Sequence, residues 1–177
     1  MKNFIAVFIS LAIFQSALPA QKKHANFKGA QFDSVMIFEF LPSMDGPFPS
    51  ERNDIVGRPV NRKAGERQAY LTKMESDSLY GFLIDTSSFD CGASICWNPH
   101  LGVVFMKDGV AVNYIEVCMD CNKLYSYLRI KNSEPVKMKG ANVYLPTGLS
   151  GKFRDYINAL LTRYHFTHIV KDNPCNK

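Results

Sequence analysis

The sequence predicts an α+β fold, an antiparallel sheet of about four or five strands with two helices packed on one face. Three observations predict it. Two apolar runs flank Asp108-Gly109, a dipeptide typical of tight β-hairpin turns. Two amphipathic segments follow the helix-capping residues Thr72 and Ser150. The order strand, helix, several strands, helix favours segregated elements over alternating βαβ units.

The first twenty residues have the features of a secretory signal peptide. Lys2 supplies a positive charge, the run from Phe4 to Phe14 is apolar except for Ser10, and small residues lead to Ala20. The apolar run is too short for a membrane span, which needs about 20 residues. We therefore expect cleavage after Ala20, no transmembrane anchor in the mature chain, and a periplasmic or extracellular location.

Residues 21–177 then form a single globular domain. Hydrophobic residues make up 46% of the chain and charged residues 21%, which is typical of a folded protein. Loss of Lys2 with the signal peptide lowers the net charge from +5 to +4. This excess is mild, and no basic stripe with interleaved aromatic residues predicts nucleic-acid binding. The sequence identifies no other partner.

The first half of the domain alternates short strands with polar segments. Residues 21–28 are polar and are expected to fray. Residues 34–41 form a strand that Pro42 ends. Residues 42–63 contain four prolines and two glycines, which predicts a long loop. A loop of this length in a compact domain is either functional or mobile. A short strand over 67–71 follows.

Both helices have clear start signals. Thr72 and Glu75 have the spacing of a capping box, which predicts a helix to about Ile84. Ser150 caps a second helix that runs from Gly151 to about Tyr164. Its apolar residues recur at the spacing of one helical face. Between the two helices, the sequence predicts four strands, 101–106, 110–117, 124–130 and 143–145.

Four cysteines bracket the predicted hairpin, Cys91 and Cys96 before it and Cys118 and Cys121 after it. A two-residue turn pairs Lys107 with Val110, and the same register then places Cys96 opposite Cys121. Opposed residues have Cβ atoms about 4.5–5.5 Å apart, close to what a disulfide needs. We therefore expect Cys96 to bond one member of the Cys118–Cys121 pair.

The same register assigns the other partners within the hairpin. Phe105 is expected to face Val112, Val103 to face Tyr114, and Leu101 to face Glu116.

Three interpretations of this cysteine cluster stay open. Structural disulfides are favoured, because an exported protein folds in an oxidising compartment. A zinc site is the first alternative, with Cys96, His100, Cys118 and Cys121 as ligands. Thiol redox chemistry is the second, because Cys118 and Cys121 have the spacing of an exchange pair. Against it, the motif ends a strand rather than starting a helix, and Asp120 opposes thiolate formation.

The remaining chemistry-bearing residues favour structural roles. Trp97 is expected to pack over the sulfurs, and Cys175 is the unpaired fifth cysteine of the mature chain. His165 and His168 lie at the end of the second helix without an adjacent carboxylate, so we expect an exposed pair rather than a metal site. None of the common hydrolase, nucleotide-binding or metalloprotease motifs occurs. The sequence therefore predicts no catalytic residues and no required cofactor, and favours a binding or structural role over an enzyme.

One segment resembles a known group of proteins. It runs from Cys96-Trp97-Asn98-Pro99 through Gly102 to Cys118-Met119-Asp120-Cys121-Asn122. This pattern is similar to a group of uncharacterised secreted or lipoprotein-like bacterial proteins of the Bacteroidetes type, in which a helix opened by Leu-Ser often follows, as at Leu149-Ser150. The resemblance implies a shared fold unit and carries no activity. Cys91 is additional to the shared pattern, which weakens a four-sulfur metal site.

Overall fold

The computed structural model of the protein describes residues 26–39, 55–60, 67–91, 99–137, 144–145 and 147–167. Within these ranges the chain forms nine strands, two α-helices and one 3-10 turn. In chain order they are β1 Ser34–Glu39, β2 Gln68–Tyr70, α1 Lys73–Ile84, the 3-10 turn Thr86–Ser88, β3 Phe89–Cys91, β4 Leu101–Lys107, β5 Val110–Cys118, β6 Lys123–Ser126, β7 Val136–Lys137, β8 Tyr144–Leu145, β9 Thr147–Leu149 and α2 Gly151–Arg163.

Five strands form the main sheet in the order β2-β1-β4-β5-β6, and every neighbouring pair is antiparallel. Two short antiparallel ladders, β3 with β9 and β7 with β8, lie outside it. The predicted α+β class is confirmed. Strands β3, β7 and β9 were not predicted, because two or three residues are too few to show a period-two pattern.

One face of the sheet packs against both helices. The buried apolar residues of this core come from β1, β4 and β5 on one side and from α1 and α2 on the other. The central contributors are Val35, Ile37, Leu101, Val103, Phe105, Ile115, Val117, Leu79, Leu83, Phe153, Ile157, Leu160 and Leu161. A cavity of about 20 Å³ remains between sheet and helices, lined by apolar side chains. That volume holds about one water molecule, which excludes an organic ligand.

The opposite face of the sheet is also covered. Met36, Phe38, Val104, Met106, Ala111 and Tyr114 form its buried core, against which the 55–60 segment packs through Ile55, Val56 and Val60. Gly57 N donates to Ala111 O at 2.8 Å, and Ala111 N donates to Arg58 O at 3.1 Å. This segment belongs to the predicted loop 42–63, so the described part of that loop has a packing role. Burial on both faces explains why β1 and β4 are nearly continuous apolar runs.

The register of the β4–β5 hairpin corrects the prediction. Lys107 faces Val110 as expected, but a β-bulge between Phe105 and Met106 shifts the pairing by one residue. Phe105 therefore faces Asn113, Val103 faces Ile115, and Leu101 faces Val117. The predicted partners Val112, Tyr114 and Glu116 are wrong. The extra residue that the bulge places in β5 is Val112. It directly follows Val110 and Ala111, with which the 55–60 segment pairs.

The predicted fraying of residues 21–28 is wrong for the part that the structure describes. Phe27 is fully buried in the helix-side core, and its N–H donates to Arg129 O at 2.9 Å. Its ring contacts Tyr80 and Phe105 with centroids 5.3 and 4.9 Å apart. A single aromatic residue in a polar segment gives no periodic signal, although one buried ring is enough to anchor the segment.

Several strands differ in length from the prediction. β6 ends at Ser126 rather than Ile130. Near this end, the side chain of Asn113 on β5 forms hydrogen bonds in place of a backbone ladder. The carbonyl Oδ1 of Asn113 accepts from Leu128 N at 2.8 Å, and its Nδ2 donates to Ser126 Oγ at 3.1 Å. The last two residues of the predicted first strand, 40 and 41, lie outside the described residues.

Candidate functional site: the cysteine turn

Cys118 and Cys121 close the turn that joins β5 to β6. Cys118 is the last residue of β5 and faces Lys123, the first residue of β6. The connection between the two strands has four residues, 119–122, and Cys121 is the third of them. The structure joins their sulfurs in a disulfide, with the Cα atoms 5.3 Å apart. Both residues are fully buried. The pair is therefore a short staple across a hairpin end, beneath the protein surface.

Asn122 fastens this turn to the rest of the domain. Its φ of 51° lies in the left-handed region, which asparagine tolerates better than most residues. Its Nδ2 donates to Leu149 O at 3.0 Å, and Leu149 N donates to Asn122 O at 3.3 Å. Leu149 ends β9 and directly precedes Ser150, the N-cap of α2. The cysteine turn is thus held against the entrance of the second helix.

The same region gathers the strand that ends in Cys91. β3 pairs with β9 so that Phe89 faces Leu149 and Cys91 faces Thr147. β9 therefore contacts the strand of Cys91 on one side and the turn of Cys118 and Cys121 on the other. The backbone of Cys91 and the turn of Cys118 and Cys121 are therefore connected through β9.

The structure describes no partner for Cys96. Cys96, Trp97 and Cys175 lie outside the described residues, as does the side chain of Cys91. The disulfide that the structure describes joins Cys118 to Cys121, which differs from the expected bond between Cys96 and one of them.

His100 lies at the same end of the sheet. Its backbone N–H donates to Val117 O at 2.9 Å, which places it just before β4 and beside the end of β5. The ring is 5% exposed, and its Nε2 lies 3.6 Å from Oδ2 of the exposed Asp120. Among the described residues, no group of three or more histidine, cysteine and acidic side chains is arranged to hold a metal ion. His100 therefore contacts a carboxylate inside the turn.

The turn has one feature that assists thiol chemistry and two that oppose it. Cys121 N donates to the Sγ of Cys118 at 3.3 Å, an interaction that favours a thiolate at Cys118 if the bond is reduced. Asp120 lies between the two cysteines, and its negative charge disfavours a thiolate. Complete burial also denies an attacking thiolate access to either sulfur. Geometry thus favours a stable disulfide over an exchanging one.

Gly102, which belongs to the resemblance, has a steric reason for lacking a side chain. It pairs with Phe38 on one side and with Glu116 on the other. A Cβ at Gly102 would lie 2.1 Å from Cζ of Phe38, because that ring lies over the glycine. The Phe38 ring is parallel to that of Tyr114, at a centroid separation of 6.2 Å, and the Tyr114 hydroxyl donates to the buried Glu116 carboxylate at 3.1 Å.

A second polar cluster centres on Glu75 at the start of α1. The predicted capping box is present: Thr72 N donates to Glu75 Oε2 at 2.8 Å, and Glu75 N donates to Thr72 Oγ1 at 3.3 Å. The same carboxylate accepts from the Tyr164 hydroxyl at 2.7 Å and from Arg163 Nη1 at 2.5 Å. The Tyr156 hydroxyl donates to the backbone O of Glu75 at 2.7 Å. One buried carboxylate therefore ties the beginning of α1 to the end of α2.

The environment of this cluster shifts three pKa values, and that of Tyr164 is raised by burial and then by its hydrogen bond to Glu75. Burial of the carboxyl raises its pKa, but the hydrogen bonds from Tyr164, Thr72 and Arg163 outweigh that effect and hold the pKa at about 2. Burial, and then the Glu75 charge, raise the pKa of Tyr156 to about 12. The cluster is thus an ionised carboxylate with neutral phenols around it. Its groups are engaged with one another, which indicates a structural tie.

The histidines at the end of α2 take no part in a metal site that the structure describes. His165 is exposed, as predicted, with a left-handed φ of 58°. Its backbone carbonyl accepts from Arg67 Nη1, and Thr167 donates from both N and Oγ1 to the buried Glu39. These contacts connect the segment after α2 to the end of β1 and to Arg67, which directly precedes the edge strand β2. His168 lies outside the described residues.

Comparisons of the chain with protein-family models, with curated proteins and with solved structures found no match. Within the described ranges, no helix has the length and apolar character needed to cross a membrane.

Proposed function

We propose that this chain is an exported, non-enzymatic domain with a binding or structural role, in which the Cys118–Cys121 disulfide stabilises the fold. One observation carries the proposal: both sulfurs are fully buried in a hairpin turn that Asn122 fastens to the entrance of α2. A buried staple beside a helix entrance restricts the unfolded chain and orders the turn without needing access to a substrate.

Export is part of the same proposal, because a structural disulfide persists in an oxidising compartment. The signal-like residues 1–20 and the resemblance to secreted bacterial proteins support it. The surface we propose for binding is the predicted loop 42–63 apart from its 55–60 segment, which has a packing role on the second face of the sheet.

The competing function is thiol–disulfide exchange. The hydrogen bond from Cys121 N to Cys118 Sγ favours it, because it stabilises a thiolate at the first cysteine of the motif. The proposed structural role predicts slow reaction of this disulfide, since both sulfurs are shielded from an external thiolate.

A disulfide-exchange assay separates the two functions. The wild-type protein, Cys118→Ser, and Met119→Leu as a matched turn variant that keeps both sulfurs are each incubated with a model disulfide substrate and a thiol reductant. We expect the wild type and Met119→Leu to give no turnover above the uncatalysed rate. Catalytic turnover by the wild type that Cys118→Ser lacks and Met119→Leu retains would replace the structural role with a redox one.

A further inference from the structure

Arg154 is a buried cation with an unsatisfied hydrogen-bond donor. It is the fourth residue of α2 and is 8% exposed. Its Nη1 is fully buried and has no hydrogen-bond partner, and no ion pair of Arg154 is found in the part of the chain that the structure describes. A buried charge without a counter-charge is costly, because burial removes its hydration. An anion at this position would remove that cost.

The guanidinium lies at the beginning of its own helix. Side chains of helical residues lean toward the helix N-terminus, so that residue i covers the turn before it. In agreement, Nη2 of Arg154 lies 3.5 Å from the position that a Cβ would take on Gly151, the first residue of α2. The guanidinium therefore lies beside Gly151, in the first turn of the helix.

The first turn of α2 supplies further donors. The first intrahelical bond is donated by Arg154 N to Ser150 O at 3.0 Å, so the N–H groups of Gly151 and Lys152 precede the helical hydrogen-bond ladder. Ser150 Oγ accepts from Phe153 N at 3.4 Å, which leaves the hydroxyl proton available to donate. The helix dipole adds positive potential at this end. Exposed Lys152 adds a full positive charge.

The carboxylates of Asp85 and Asp155 belong to residues near this end of the helix, and neither forms an ion pair with Arg154 among the described residues. Asp85 lies near enough to Lys152 for that charge to contribute to lowering its pKa, although the main cause is the hydrogen bond from Ser87 N. Both of its oxygens accept from Ser87, at 3.0 and 2.8 Å. Asp155 is on the exposed face of α2.

We propose that the start of α2, formed by Ser150, Gly151, Lys152 and Arg154, binds a phosphate-type oxyanion. Helix N-termini with an adjacent arginine suit such a group, because backbone N–H groups and a guanidinium can each donate to a different oxygen. The oxyanion is either a free phosphate or the phosphoryl group of a larger molecule. This proposal goes beyond the structural role of the disulfide and stands or falls independently of it.

Binding is tested with inorganic phosphate and with phosphoserine as separate probes, in sodium chloride of matched ionic strength. The readouts are the amide NMR shifts of Gly151 and Lys152 and the equilibrium unfolding of the full mature chain in denaturant. We expect saturable shifts for at least one probe. At a concentration ten times its Kd, that probe should lower the unfolding equilibrium constant about 11-fold. Saturation by inorganic phosphate identifies a free-anion site, and saturation by phosphoserine alone identifies a phosphoryl-ester site.

Two variants and one control link the binding to this site. Arg154→Met should lose at least tenfold in affinity, and Gly151→Ala should weaken binding by placing a methyl group against the guanidinium. Lys28→Met removes an exposed charge elsewhere and should bind like the wild type. Without phosphate, Arg154→Met should be at least as stable as the wild type, because it removes an unpartnered buried charge.

Three results would overturn the oxyanion site. The first is the absence of saturable binding of both probes. The second is binding of the Arg154→Met and Gly151→Ala variants with wild-type affinity. The third is an Arg154→Met variant that is destabilised without phosphate while Gly151→Ala binds as the wild type does, which would assign Arg154 a purely structural role.

Discussion

Replacing Glu75 with glutamine should reduce stability in a strongly pH-dependent way. The pKa of Glu75 falls from an ordinary value of 4.5 to about 2 in the folded protein. A tenfold difference in proton affinity between the folded and unfolded states is worth about 1.4 kcal/mol, so the ionised carboxylate stabilises the fold by about 3 kcal/mol. Arg163 is 63% exposed and its contribution is screened by water, so we expect a measured value of about 2–3 kcal/mol.

The sign of the pH dependence follows from the lowered pKa. The stabilisation is fully present above pH 4.5, where the carboxyl is ionised in both states, and most of it is lost as the pH falls to about 2. Glutamine keeps the length and the acceptor oxygen needed for the capping box with Thr72. The difference between the wild type and Glu75→Gln therefore isolates the charge, and the titration of all other carboxyls cancels.

The assay is urea unfolding at pH 6, 4 and 2 for the wild type, Glu75→Gln and the control Asp77→Asn. Asp77 lies in the same helix and forms an exposed pair with Lys73 at 2.6 Å, which is worth less than about 1 kcal/mol. We expect the Glu75→Gln difference to shrink between pH 6 and pH 2. An equal difference at the two pH values would refute the assignment of an ionised Glu75 as the tie between the helices.

Three further predictions follow from the structure. Gly102→Ala should destabilise the protein by about 1–3 kcal/mol, because the new Cβ overlaps the Phe38 ring, and Phe38→Leu should recover part of that loss in urea unfolding of the double variant; full stability of Gly102→Ala would contradict this. Phe27→Ala should lower the free energy of unfolding by about 3–5 kcal/mol, because the ring is fully buried. A loss below about 1 kcal/mol would mean that residues 26–28 fray as the sequence predicts. Intact mass and N-terminal sequencing of exported protein should show a chain that begins at or near Gln21, whereas a retained Met1 or a lipid adduct would rule out the proposed processing.

The elements with long periodic or capping signals were predictable from the sequence. The Asp108-Gly109 hairpin, the capping box at Thr72 and the apolar face that follows Ser150 are local patterns, and each forms the expected element. What depended on distant parts of the chain was not predictable. The bulge in β5 shifts the predicted register by one residue, and strand β9 is only three residues long.

The distant partners and the burial of the polar residues were also not predictable from the sequence. The sequence indicates that Glu75 pairs with Thr72, three residues away, but not that Arg163 and Tyr164 reach the same carboxylate from the other helix. Arg154 lies on an amphipathic helix, where an arginine is usually solvated, and its burial arises from tertiary packing. The disulfide between Cys118 and Cys121 was not predicted, because the expected hairpin register pointed to Cys96 as the partner of this pair.

Disulfide mapping of the native protein determines whether Cys118 and Cys121 form a buried bond that stabilises the fold. Protein from the exported fraction is incubated with a mild thiol reductant, alkylated without denaturation, and digested with a protease that cleaves before Asp120, so that Cys118 and Cys121 fall on different peptides. We expect these two peptides to remain joined to each other, since the buried bond resists reduction. The double variant Cys118→Ser, Cys121→Ser lacks this bond. Its free energy of unfolding should be about 2 kcal/mol lower than that of the wild type, as the chain-entropy model gives for a four-residue loop. A cross-link from Cys96 to either peptide, or four alkylated thiols in protein that carries one equivalent of zinc, would contradict the bond between Cys118 and Cys121.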